Sequence, residues 1–273
     1  MKHKMKIKFE DIRLALFDID GTLLRSDHTI PEEVISSLRN LIKIKLLSLT
    51  SARPLRSVLE FATEIGLQGP VSALNGAIVG DISGRIYKRT SLAAEITKKM
   101  IHRFSSIQGV TCNVYSGFDW FVSSINSFVK QEMDIIGFPP SVVDIHSDRI
   151  SGCAEKILLM CAEEAKDQVV KIASEYKDFL AMAFSKNGYF EITSIEASKL
   201  TSAKYIADYY GITLQNCAAF GDGEVDAEII KYCGLGIAMS NAVPKVKEVA
   251  DIIIGSNEEA AVAKFISLLS NSA

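Results

Sequence analysis

At 273 residues and 48% hydrophobic content, the chain can bury a sizeable core, either as one large α/β domain or as a core carrying an insertion. A formal net charge of -3 with mixed signs excludes the basic footprint of a nucleic-acid binder, and no apolar run is long enough to cross a bilayer. The five cysteines (Cys112, Cys153, Cys161, Cys217 and Cys233) are odd in number and form no Cys-x-x-Cys pair, which argues against a disulfide framework or zinc knuckle and for a reducing, cytoplasmic setting.

In chain order, Lys2, Lys4, Lys6 and Lys8 read as a solvated terminus. A signal peptide does not fit, because the apolar run behind them is interrupted by Glu10, Asp11 and Arg13 and has no small-residue cleavage site. Leu14-Ala15-Leu16-Phe17 is too short for a buried helix and gives way to Asp18-Ile19-Asp20-Gly21-Thr22, so it reads as the central strand of a parallel sheet with two carboxylates at its end. Thr29 is placed to cap a helix that begins near Pro31, where Val34, Ile35, Leu38 and Leu41 recur at helical spacing. Residues 44–49 read as the next strand, breaking at Thr50-Ser51-Ala52-Arg53-Pro54 into a helix with the apolar face Leu55, Val58, Leu59, Ala62 and Ile65; Gly66 ends it. A third strand over 71–74 leads into Asn75-Gly76-Ala77. Over 78–90 the rhythm changes, since Asp81-Ile82-Ser83-Gly84 between two alternating arms is hairpin chemistry and not a βα crossover.

From 84 to 188 helices (93–104, 128–136 and 165–176) alternate with half-exposed strands (110–115, 120–122, 156–161 and 180–184). The pattern predicts an α/β insertion with one face packed by helices and the other free to cover something. After Tyr189-Phe190-Glu191-Ile192 the βα rhythm returns. A helix follows Ser198 and Lys199, a strand over 217–220 runs into Gly221-Asp222-Gly223-Glu224-Val225-Asp226, short strands follow at 236–239 and 252–254, and helices at 244–249 and 258–269. The predicted organisation is a core over 1–83 and 189–273 with a cap inserted over 84–188.

The chemistry lies just past the predicted core strands: Asp18 and Asp20 after the first, Ser51 after the second, Asp222 and Asp226 after the strand that follows the insertion. Parallel strands bring these loops to one edge of the sheet. Carboxylates so crowded repel unless a cation relieves them, and oxygen ligands beside a hydroxyl and a lysine suit a hard dication and a phosphoryl group, with Mg2+ first.

These residues resemble the haloacid dehalogenase superfamily of phosphohydrolases, in particular the Cof-type branch with a large α/β cap of the C2 kind. Asp18-x-Asp20-Gly21-Thr22 matches the first motif, Ser51 the second, Lys199 the third, and Gly221-Asp222 with Asp226 the fourth. Asn75-Gly76 and Gly236-Ile237-Ala238-Met239-Ser240-Asn241-Ala242 are further echoes. The resemblance implies a Rossmann-like parallel-sheet core and an Mg2+-dependent phosphatase of small phosphomonoesters, sugar phosphates ahead of pyridoxal phosphate or flavin mononucleotide, acting as a monomer or homodimer. It implies Asp18 as nucleophile and Asp20 as acid and base. Ser51, Lys199 and the Gly21 backbone would bind the phosphate. Asp18, Asp222, Asp226 and the Asp20 backbone carbonyl would hold the cation.

Two departures stand out. Ala52 follows Ser51 where the family commonly has Gly, and Val225 precedes Asp226 where it commonly has Asn. Val225 keeps a second reading open, a regulatory protein that binds a phosphorylated metabolite without turnover; a phosphomutase is a third. Other residues have plainer uses as well: Lys204 competes with Lys199, Thr50 with Ser51, and Asn75 and Asn241 serve equally as a turn residue and a helix cap. Phe118, Trp120, Phe121 and Phe128 read as cap core.

Overall fold

The computed structural model describes residues 9–152, 154–186 and 188–270; the expectations for Lys2, Lys4, Lys6, Lys8 and Cys153 lie outside them. The fully buried Leu14–Phe17 strand is an interior strand, second from one edge, of a five-stranded parallel sheet. On one side it pairs with Leu46–Leu49, on the other with Cys217–Gly221, followed by Leu235–Ala238 and Ile252–Ile253. The chain thus leaves its first strand to one side and returns to the other. The carboxyl ends of Leu14–Phe17 and Cys217–Gly221 flank a topological switch point, the crevice where open α/β sheets bind ligands.

Alternation decides the two faces. Ala15 and Phe17 pack with Val34, Leu38, Val58, Val262 and Ile266 from the helices Glu32–Leu41, Leu55–Ile65 and Ala261–Ser270. Leu14 and Leu16 pack with Ala203, Ile206, Ile229, Ile230 and Val246 from Lys199–Tyr209, Ala227–Tyr232 and Pro244–Val249. Phe17 and Phe220, partners in register, stack with ring centroids 4.4 Å apart, a geometry that adds about 1 kcal/mol beyond burial.

Val71–Ala73 joins the core by a single bridge, Thr50 to Ser72, and otherwise forms an antiparallel sheet with Ile78–Gly80 and Ile86–Arg89. The chain reverses there because Leu74, Asn75 and Gly76 all take left-handed backbone, φ 51°, 55° and 91°. The cap is a six-stranded sheet in the order Leu180–Lys186, Tyr189–Ser194, Lys156–Cys161, Val110–Ser116, Asp119–Val122, Ser141–Val142. Helices Ala94–Ser105 and Lys166–Ala173 cover one face through Ile101, Phe104 and Val169. The opposite face, with Tyr115, Trp120, Leu158 and Met160, shares a cluster with the core and with Val129 and Ile136 of helix Ser127–Ile136.

Several local expectations differ. Thr29 caps nothing: its N–H and hydroxyl both donate to Asp27, and Pro31 occupies the cap position without a side-chain bond. The last helix starts at Ala261, not 258, because Ser256 and Glu259 close a short turn and Ala260 takes φ 51°. Sheet pairing also runs past the boundaries expected at 84 and 188. Ile86–Arg89 pairs with the core-side strand Ile78–Gly80, and Tyr189–Ser194 pairs with the cap strands on either side of it. Among the described residues no helix is long and apolar enough to cross a membrane.

Candidate active site

Asp18 continues the Leu14–Phe17 strand for one more bond, its N–H donating to the Phe220 carbonyl at 3.0 Å. Its carboxylate is buried, and the Lys199 ammonium sits 2.5 Å from its Oδ1. The same ammonium is 2.6 Å from Asp226 Oδ1. Lys199 arrives there as the first residue of its helix, whose start is set by a Ser198–Thr201 capping box. Lys204 lies exposed on the same helix. Asp226 Oδ2 accepts from the N–H groups of Asp222 (3.3 Å) and Gly223 (3.0 Å). Asp222, half-buried, accepts from the Thr22 hydroxyl at 3.2 Å.

Asp18, Asp222 and Asp226 each offer one carboxylate oxygen, all within 4.8 Å of one another. Two glycines permit this crowding. A Cβ on Gly21, at φ 77°, would lie 2.3 Å from Asp222 Oδ2, and one on Gly221 would lie 2.5 Å from Asp226 Cγ. Burial, opposed by Lys199 and reinforced by Asp226 and Asp222, drives the Asp18 carboxyl well above its ordinary range. Burial and the Asp226 charge push Asp222 up to about 6. Lys199 is raised although burial opposes it, because Asp18 and Asp226 favour its charge. Three carboxylates against one ammonium leave uncompensated negative charge in a buried place, and this all-oxygen set suits a hard dication such as Mg2+.

Asp20 stands apart. Its carboxylate, 47% exposed, is not part of the trio, because Arg53 holds it in a bidentate grip, Nε to Oδ2 at 2.8 Å and Nη2 to Oδ1 at 2.7 Å. Burial would raise its pKa, yet the Arg53 hydrogen bonds and charge keep it below the usual carboxylate value. Arg53 also donates to the Ile135 carbonyl of the cap at 3.0 Å. Ser51 is buried, its Oγ accepting from the Arg53 N–H at 3.1 Å, and Thr50 is buried beside it.

The asparagines point elsewhere than at the trio. Asn75 donates to Glu191 Oε2 of the cap at 2.7 Å. Asn241 donates to the Gly21 carbonyl at 2.8 Å and accepts from the Asn257 N–H, clamping the first loop to the last. Val225 is half-exposed, and the Asp222–Asp226 loop closes through backbone N–H groups. Sequence reading missed Arg53, Lys156 and Glu191. Arg53 had a signal, a cation two residues after the phosphate-type hydroxyl of Ser51. Lys156 and Glu191 had a fainter one, each a charge at a core-facing position of a mostly apolar strand.

The haloacid dehalogenase-like hydrolase family matches residues 15–266. The chain belongs to that family. This hydrolase is 26% identical over 265 residues to the 5-amino-6-(5-phospho-D-ribitylamino)uracil phosphatase YitU of Bacillus subtilis, covering 93% of this chain and 96% of that protein. It is 27% identical over 266 residues to the HMP-PP phosphatase of Klebsiella pneumoniae, covering 93% and 94%. A crystal structure from Thermotoga maritima matches it with a TM-score of 0.84 at 26% identity, over 94% of this chain and 97% of the other.

Proposed function

We propose that this hydrolase is an Mg2+-dependent phosphatase of small phosphomonoesters, sugar phosphates ahead of pyridoxal phosphate or flavin mononucleotide, working through an aspartyl phosphate on Asp18. The reaction class, phosphoric monoester hydrolysis, follows from the family and from relatives that are phosphatases. One observation carries the finer reading: the buried Asp18 and Asp226 carboxylates and the half-buried Asp222 converge on one point, with the Lys199 ammonium 2.5 Å from the intended nucleophile.

Asp18 attacks phosphorus in line, and its O–P bond forms as the bond to the leaving oxygen breaks. Asp20 gives that oxygen a proton, then takes one from the water that cleaves the aspartyl phosphate and restores Asp18. Arg53 keeps Asp20 ionised, which suits the second step; for the first, Asp20 turns from Arg53 with a proton. Ser51, Lys199 and the Gly21 backbone hold the non-bridging oxygens, and Lys199 offsets the repulsion between nucleophile and substrate. Asp18, Asp222, Asp226 and the Asp20 carbonyl would hold a dication, which when bound would supply the remaining charge neutralisation. A cytoplasmic setting belongs to the same reading and is supported by the free, buried thiols of Cys112, Cys161 and Cys217.

The test is phosphate release from a panel of phosphomonoesters with Mg2+ or with chelator. Release is expected to need the metal and to fall about a thousandfold or more in Asp18→Asn; full turnover in that variant would falsify the nucleophile assignment. The half-exposed Val225 favours one other reading, binding of a phosphorylated metabolite without turnover. Release that begins only in Val225→Asn would select it.

A further inference from the structure

Arg53 belongs to the core, yet the cap takes hold of it at both ends. Its side chain is buried, only 7% exposed. Nη1 donates at 3.0 Å to the Ile135 carbonyl, in the last turn of the cap helix Ser127–Ile136. That carbonyl is open to an outside donor for a reason written in the sequence. The residue four positions on, which would pair with it if the helix continued, is Pro139, and proline has no N–H. A helix C-terminus also carries partial negative charge, which favours a guanidinium there. At the backbone end, the carbonyl of Ala52, in the same peptide group as the Arg53 nitrogen, accepts at 2.8 Å from Lys156 Nζ of the cap strand Lys156–Cys161. The core completes the mould, with the guanidinium 5.3 Å from the centre of the Phe61 ring and the Arg53 N–H donating to Ser51 Oγ.

Two further donors of the same guanidinium, Nε and Nη2, grip the two carboxylate oxygens of Asp20 at 2.8 and 2.7 Å. A guanidinium is planar and its donors are fixed relative to one another, so the direction set by Ile135 also sets the plane in which Asp20 lies. The grip uses both oxygens as acceptors, as Asp20 requires when it takes a proton and not when it gives one. In the reaction proposed above this is the second half. A water oxygen bonds to phosphorus, the bond from phosphorus to Asp18 breaks, inorganic phosphate leaves, and the water proton passes to Asp20.

We propose that Arg53 is a positioning residue through which the seated cap aligns Asp20 for cleavage of the aspartyl phosphate. With the cap off its seat, Arg53 loses Ile135, the Ala52 carbonyl loses Lys156, and Asp20 is held by a side chain that is itself unheld. The second half-reaction then slows, while the first, in which Asp20 leaves Arg53, depends on the contact far less. The inference rests on the phosphatase reading of the Asp18 site and deepens it.

The test is rapid-mixing and steady-state hydrolysis of 4-nitrophenyl phosphate with Mg2+ by the natural protein, Arg53→Met, Arg53→Lys, Lys156→Met and the double variant Arg53→Met/Lys156→Met. In Arg53→Met, kcat is expected to fall about tenfold or more and KM to fall with it, so that kcat/KM changes by less than about threefold, with a burst of nitrophenol close to one per site as the aspartyl phosphate accumulates. Arg53→Lys keeps a cation that cannot hold Asp20 and Ile135 in one plane; it is expected to show the same signature and decides the matter if Arg53→Met does not fold. Lys156→Met, altered only in the cap, is expected to show a smaller fall in kcat with its own burst, and the double variant to be no slower than Arg53→Met. A parallel fall of kcat and kcat/KM without a burst, an unchanged kcat in Lys156→Met, or losses that multiply in the double variant would each overturn the proposal. In those cases the natural protein still turns over and the phosphatase reading stands. A natural protein that releases no nitrophenol overturns both.

Discussion

Replacing Gly21 with alanine separates backbone strain from damage to the acidic trio. Gly21 holds φ 77°, and an added Cβ would lie 2.3 Å from Asp222 Oδ2 and 2.7 Å from its Cγ, inside the 3.0 Å that Cβ atoms essentially never cross. Gly84 provides the matched control, because it holds φ 84° with nothing within 4 Å of the added carbon. Both substitutions carry the left-handed cost of an L residue, about 1 kcal/mol, which lowers the melting temperature of a chain this size by about 2–4 °C. Only Gly21→Ala also drives Asp222 from its place, breaking the 3.2 Å bond from Thr22 and spreading oxygens that now lie within 4.8 Å. Displacing a ligand's support in this way typically weakens metal binding by about 10–100-fold. Thermal melts in chelator, followed by phosphate release titrated with Mg2+, read the two effects separately. Gly84→Ala is expected to move only the melt, and Gly21→Ala to raise the half-saturating Mg2+ as well. Identical Mg2+ titrations for the two variants would refute the argument that Gly21 is required by the approach of Asp222.

Lys199→Met leaves the buried carboxylates of Asp18 and Asp226 without their ammonium. Stability in chelator should fall by about 3–5 kcal/mol and recover in part with Mg2+; denaturant unfolding with and without the metal checks both. A fall that Mg2+ does not relieve would mean that the trio is not where the cation binds. Away from the site, Asp81 is buried and accepts from Ser83, Tyr87 and the Arg85 N–H. Burial works against ionisation, but these donors hold its pKa below 3.8. A depressed folded-state pKa contributes stability above the unfolded value that is lost as pH falls through the folded one. The melting-temperature gap between the natural protein and Asp81→Asn should therefore be full at neutral pH and shrink below about pH 4.

Much of the architecture was legible because it is written in short periods. Leu14-Ala15-Leu16-Phe17 followed by two aspartates reads as a buried strand and its carboxyl edge, and it lies inside the sheet, one strand in from the edge. The helix over 55–65 and its stop at Gly66 follow from apolar spacing and a left-handed cap. The hairpin at 81–84 follows from its turn residues. Elements whose limits depend on distant partners were less legible. Tyr189–Ser194 looks like the return to the core, yet its hydrogen bonds go to Lys156–Cys161 and Leu180–Lys186 in the cap. Thr29 looks like a cap, but Asp27 two residues earlier is the acceptor it finds.

By itself the sequence determined the α/β class, the order of the elements and the strand-end positions of Asp18, Asp20, Ser51, Asp222 and Asp226, because periodicity and turn chemistry are local. Only the tertiary structure decided the partnerships. Lys199 reaches Asp18 across 181 positions, Arg53 takes Asp20 away from the other carboxylates, and Asn75 turns toward Glu191 across 116. An ammonium or guanidinium can satisfy any acid within reach, and which acid that is depends on how the strands and helices pack.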